Sequence, residues 1–83
     1  MKPEDIFNSP NVKTTDISDT DVLKESCSVA VHPVGYKILR GQSGFTENSF
    51  ADIQKNGKYA KISKASIYVS TLVPKDKMFV VYD

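Results

Sequence analysis

Asn56-Gly57, set between two runs that alternate polar and apolar residues, constrains this chain more than any other pair in it. Both residues tolerate a positive φ, so the pair favours a type I′ turn, whose twist matches that of the flanking strands. A turn there predicts a hairpin across the stretch from Ser49 to Val73. Its register sets Lys55 opposite Lys58, Ile53 opposite Ala60 and Ala51 opposite Ile62. On the other face Gln54 meets Tyr59, Asp52 meets Lys61 and Phe50 meets Ser63. The Asp52–Lys61 pair would add a few tenths to about 1 kcal/mol. The same residues also read as a helix. Thr46-Glu47-Asn48-Ser49 supplies a cap, Phe50 and Ile53 are spaced i, i+3, and Gly57 suits the end. The strand reading is preferred because turn chemistry and charge pairing agree.

Three further stretches read as ordered elements. Ser28–Leu39 holds the sheet formers Val29, Val31, Tyr36 and Ile38, with a kink at His32-Pro33 and Gly35 because proline cannot donate to a ladder. Ser66–Val73 alternates, with Ile67, Val69, Thr71 and Val73 on one face and Tyr68, Ser70 and Leu72 on the other. Pro74 to Lys77 is a turn, and Met78–Tyr82 is a last strand without charges. Left as an open edge, that strand would be an aggregation hazard. It is therefore expected to be central, covered by the N-terminal arm, or paired with a second molecule.

Residues 1–27 form an acidic arm, partly helical or extended, ahead of an antiparallel β domain at 28–83. Pro3, Glu4 and Asp5 suit a short helical opening whose Phe7 must dock on the sheet or anchor a partner. Ser18-Asp19-Thr20-Asp21 resembles a loose capping box before a short helix over Asp19–Glu25, with Val22 and Leu23 facing inward. The fold class is mainly β, with α+β as the variant. It holds four to five strands as a small antiparallel sheet or barrel, with short N-terminal helical pieces. Barrels of the OB or SH3-like kind have similar strand counts, but none of their sequence fingerprints is present.

A chain of 83 residues makes one domain and buries only about 60% of its unfolded surface. At 40% hydrophobic and 25% charged residues it matches neither disordered nor membrane compositions. No apolar run approaches the ~18 residues of a membrane span, and the acidic opening is not a signal peptide. The lone Cys27 excludes an internal disulfide, so a cytoplasmic location is expected. Charge is uneven. Residues 1–25 carry six acidic side chains and three lysines, a net of −3, while 26–83 carry four acidic and eight basic ones, a net of +4.

Chemistry-bearing constellations are sparse. Cys27 and His32, five apart on one strand, fall on opposite faces unless the Pro33 neighbourhood bulges, which disfavours a nucleophile–base pair. Asp16, Asp19 and Asp21 lack the spacing and the glycine of a calcium loop. Gly41-Gln42-Ser43-Gly44 meets no phosphate-loop spacing. No catalytic, cofactor-binding or metal-binding residue is assigned. Two binding readings are left. The first is a small non-enzymatic interaction or assembly protein, of the phage or bacterial accessory kind. It would act by sheet-edge or surface binding to another protein or to copies of itself, through Phe7, Tyr59, Tyr68, Met78, Val80 and Tyr82. Phe45 and Phe50 are expected in the core. The second reading is a single-stranded nucleic-acid binder using Arg40, Lys58, Tyr59, Lys61 and Lys64. The hairpin register weakens it, since Lys58 and Lys64 share one face while Lys61 and Tyr59 share the other.

Overall fold

The computed structural model describes residues 3–82, so the first two residues of the expected N-terminal opening lie outside the described residues. Six strands form one sheet: β1 (Lys13–Asp16), β2 (Cys27–Val31), β3 (Phe45–Glu47), β4 (Lys58–Ile62), β5 (Ala65–Val69) and β6 (Lys77–Tyr82). Their order across the sheet is β1-β6-β2-β5-β4-β3. Three short helices, α1 (Pro3–Phe7), α2 (Pro33–Leu39) and α3 (Phe50–Asn56), and a 3-10 turn at Thr20–Lys24 connect the strands. The architecture is a mixed α+β fold with an open sheet, larger than the four to five strands expected. Nor is the sheet purely antiparallel: β2 and β5 run parallel, and the other neighbouring pairs are antiparallel.

The expected hairpin at Asn56-Gly57 is overturned. Phe50–Asn56 is a helix, started by Ser49, whose Oγ accepts from the Asp52 N–H at 3.2 Å. Gly57 ends it at φ 72°, donating its N–H to Ile53 O at 2.8 Å. A glycine in the left-handed region closes a helix as well as it opens a type I′ turn. Long-range pairing decides between the two. β4 finds β3 on one side, with Thr46 opposite Lys61, and β5 on the other, with Lys61 opposite Ser66. Asp52 therefore does not face Lys61. The hairpin that does form turns at Ser63-Lys64, between the paired Ile62 and Ala65, with Ser63 held at φ 53°.

The strand expected over Ser28–Leu39 stops at Val31. Pro33 takes the first position of α2, where its missing N–H costs nothing, and His32 Nδ1 accepts from the Val34 N–H at 3.0 Å. The β-prone residues after it are then carried into a helix by tertiary packing. Likewise the strand expected over Ser66–Val73 ends at Val69, and Val73 folds back onto the sheet. The expected short helix at Asp19–Glu25 is the 3-10 turn, with Leu23 buried, but Asp19 makes no side-chain cap. Its carboxylate instead accepts from the Thr15 hydroxyl at 3.0 Å.

Alternation along the strands divides the core in two. On the inner face Cys27, Val29 and Val31 of β2 join Ile67, Met78 and Val80 under Leu39 of α2 and Leu23 of the 3-10 turn. On the outer face Ala30 and Tyr68 pack with Ile6 of α1 and with Val73. β6 lies between β1 and β2, so of the three expected fates of Met78–Tyr82 the strand is central in the sheet and covered by the arm. The arm strand β1 covers it, with Lys13 opposite Val80 and Asp16 opposite Lys77. An Asp16–Lys77 ion pair joins the same two strands. The sheet ends instead in β1 and β3, both too short and polar to template a long pairing.

Candidate functional site

Most of the residues expected to bind a partner are taken up by the fold. Met78 and Val80 are 0% and 1% exposed, and Tyr68 is 4% exposed beneath α1. Each is a core residue, because β6 and β5 are paired on both sides. Phe7 docks edge-on to Phe79, ring centroids 5.5 Å apart, which is its structural role. Tyr82 packs half-buried at the inner core, with the Lys13 ammonium 5.4 Å from its ring centre. Burial pushes its phenol pKa up.

Tyr59 sits in a β-bulge, where the pairing of β4 slips between Lys58 and Ala60. The extra residue re-aims its side chain, and its ring lies 5.7 Å from that of Tyr36. Tyr36, on α2, is the hub of a polar–aromatic group. Its hydroxyl donates to Glu47 Oε2 at 2.8 Å, its ring meets Phe45 at 5.6 Å, and Arg40 lies 3.6 Å from the same Glu47 carboxylate. Burial, and next the Glu47 carboxylate that accepts its proton, raise the Tyr36 pKa well above the usual phenol range. Arg40 thus shares the Glu47 carboxylate with Tyr36 at a half-exposed surface.

The bulge has a second consequence. Lys58 pairs with Tyr68 and Lys61 with Ser66, so both lysines stand on the outer face. The expected hairpin register would set them on opposite faces. Tyr59 turns away from that face toward Tyr36, and Lys64 lies in the turn beyond β4. The lysines are gathered, but the aromatic platform that stacks single strands is not with them.

Cys27 and His32 stand at the two ends of β2, which holds them roughly 16 Å apart. The buried Cys27 thiol donates to Val22 O at 3.5 Å, and His32 is committed to capping α2. Among the described residues, no group of three or more His, Cys, Asp or Glu side chains is placed to hold a metal ion.

The two ends of the sheet differ more than its faces do. Among the described residues four large apolar side chains are exposed: Val34, Phe50 and Leu72, which follow the ends of β2, β3 and β5 at one end of the sheet, and Ile38, a turn further along α2. Phe50 is 73% and Leu72 77% exposed. The Ser70 hydroxyl accepts from the Leu72 N–H at 3.2 Å and so shapes the turn that presents it. Phe50 is therefore not the core residue expected from its apolar character. Its place in the first turn of α3, beyond the end of β3, puts it outside. At the opposite end, where β2 and β5 begin, lies a pocket of about 190 Å³. Leu23 and Ile62 are its apolar lining, and Thr20, Lys24, Gln42, Ser43 and Ser63 supply polar groups. Strand alternation alone gives no signal of either end, because each is assembled from loops far apart in the chain. Compared with family models, curated proteins and solved structures, the chain matches none.

Proposed function

We propose that this is a small non-enzymatic protein, a cytoplasmic accessory or assembly component of a phage or bacterium, that works by binding another protein. The contact is the end of the sheet where β2 and β5 finish, through Val34, Phe50 and Leu72. The observation that supports this reading is the placing of these three apolar side chains at one end by three separate connections. Single exposed apolar residues are ordinary on a protein surface, whereas several gathered at one place mark an interaction site. Their exposure serves no core, since neither buried cluster includes them.

The test is affinity capture by the tagged protein from its native lysate, with and without nuclease, at two salt concentrations. It is repeated with the triple variant Val34→Ser, Phe50→Ser, Leu72→Ser. The expected result is a protein that survives nuclease and moderate salt and is lost with the triple variant. Recovery that disappears with nuclease and falls steeply with salt would instead favour nucleic-acid binding by Lys58 and Lys61, which the bulge brings to one face.

A further inference from the structure

The connections that carry Val34 and Leu72 meet next to one residue, His32. It follows Val31, the last residue of β2, and precedes Pro33, the first of α2. Behind it, Val31 O accepts from the Ser70 N–H at 2.9 Å, and the Ser70 hydroxyl shapes the turn that presents Leu72. Ahead of it, the His32 carbonyl accepts from the Tyr36 N–H at 2.9 Å, and its ring nitrogen Nδ1 accepts from the Val34 N–H at 3.0 Å. The first N–H groups of a helix have no partner within the helix. Pro33 has none to satisfy, and the imidazole holds the next, which belongs to the exposed Val34.

Serine, threonine, asparagine and aspartate are the usual caps, and each accepts through an oxygen. An imidazole accepts only while that nitrogen carries no proton, and imidazoles take up a proton between about pH 8 and about pH 5. A protonated Nδ1 sets an N–H against the Val34 N–H and a positive charge against the positive end of the helix. The charged groups around it come from several elements. Lys77 is next along β6 from the Met78 that pairs with Val31, and Asp16 of β1 is bonded to it. Lys75 and Asp76 lie in the connection before β6, Glu4 and Asp5 on α1, which packs on β2 and β6, and Lys37 along α2. Among the described residues none of these carboxylates forms an ion pair with the imidazole that would hold its charge in place. His32 is half-buried, so a charged ring has water to turn into.

We infer that His32 is a pH-sensitive latch on the contact end. Neutral, it closes the first turn of α2 and fixes Val34 relative to the turn of Leu72. Protonated, it releases that first turn, and Val34 leaves the arrangement a partner meets. The cap is therefore present at the upper end of the imidazole range and lost as pH falls through it. Its effect on binding rests on the protein-binding reading above.

Amide hydrogen exchange of the full chain at about pH 8 and about pH 5 tests this, each rate taken relative to that of an unstructured chain at the same pH. In the wild type, protection of Val34 is expected to fall about fivefold or more at the lower pH, the size of a lost cap. Amides of β2 and β5 are expected to keep theirs. His32→Asn caps through an oxygen that does not titrate, so its Val34 should stay protected at both pH values. His32→Ala should leave Val34 poorly protected at both, and if it unfolds, the asparagine variant decides alone. Capture of the protein partner should be weaker at the lower pH for the wild type and equal at both for His32→Asn. Val34 protection that holds in the wild type at the lower pH, or that falls as far in His32→Asn, overturns the latch. A latch that opens while capture ignores pH, in a chain whose triple variant loses the partner, overturns its hold on binding alone. Capture that ignores the triple variant overturns the protein-binding reading and not the latch, which exchange at Val34 decides.

Discussion

The two faces of the sheet are closed by unequal means. Over the inner face, α2 and the 3-10 turn cover a cluster running from β6 through β2 and β5 to β4, with Val29, Val31, Leu39, Ile67 and Met78 all at 0% exposure. Over the outer face, α1 and the Val73 loop cover the middle strands around Ala30 and Tyr68, while Lys61 and Thr46 at the β4–β3 side stay exposed. One face is sealed by elements in the middle of the chain. The other depends on five helical residues near its beginning, and one turn of helix has no stability without the packing of its apolar side. The inner core should therefore carry global stability and the outer cover should open locally.

Ile67→Ala strikes the inner core and should cost the most, about 3–5 kcal/mol, read as a lowered denaturant midpoint with an unchanged slope. Ile6→Ala should cost less, about 2–3 kcal/mol, because α1 can partly detach while the sheet persists. Hydrogen exchange separates the two. Amides of α1 should lose protection in the Ile6 variant while those of β2 and β5 keep it. If both variants exposed every amide equally, the faces would form one cooperative unit and the contrast would be lost.

Tyr36→Phe removes the hydrogen bond to Glu47 over the inner face and should cost about 1–2 kcal/mol. It also carries a pH signature. The folded chain holds the Tyr36 proton more tightly than the unfolded chain does, through burial and then Glu47. That contribution is complete below the ordinary phenol range, about pH 10, and is lost as pH rises through the raised value. Alkaline destabilisation should be steeper in the wild type than in Tyr36→Phe, and equal slopes would refute the assignment. Ser49→Ala, which removes the α3 cap, should cost about 1 kcal/mol, seen as faster exchange at Asp52. Ser63→Gly should act in the opposite direction. It relieves the left-handed backbone of the β4–β5 turn, and its gain should stay below about 1 kcal/mol because glycine adds freedom to the unfolded chain. A rise in melting temperature checks it.

A charge at Val80 would be the natural probe of the sheet-edge binding expected from the sequence. In the folded chain Val80 is paired between β1 and β2 at 1% exposure, so the substitution would probe the core and not an interface. The strand itself, Met78–Tyr82, was legible from its β-prone composition, while its cover by the acidic arm was one of three fates the sequence left open. The binding residues were less legible. An apolar side chain on an alternating strand and one at a loop tip look alike in sequence. Local pattern therefore sends Tyr68 and Val80 to the surface and Phe50 to the core, and the fold reverses all three.

The sequence by itself carried the residues at which several elements start or stop. Pro33, Ser49 and Gly57 each mark a boundary, because φ, capping hydroxyls and missing N–H groups act over a few residues. It also determined the alternation that sorts β2, β5 and β6 into two faces. Only the tertiary structure decided that Gly57 ends a helix instead of turning a hairpin, that β2 and β5 lie parallel, and that a pocket and a set of exposed apolar side chains stand at opposite ends. Those outcomes rest on pairings between residues tens of positions apart. Local preferences of about 1 kcal/mol or less per residue are outweighed there by the burial of whole side chains, at about 1.5–3 kcal/mol each.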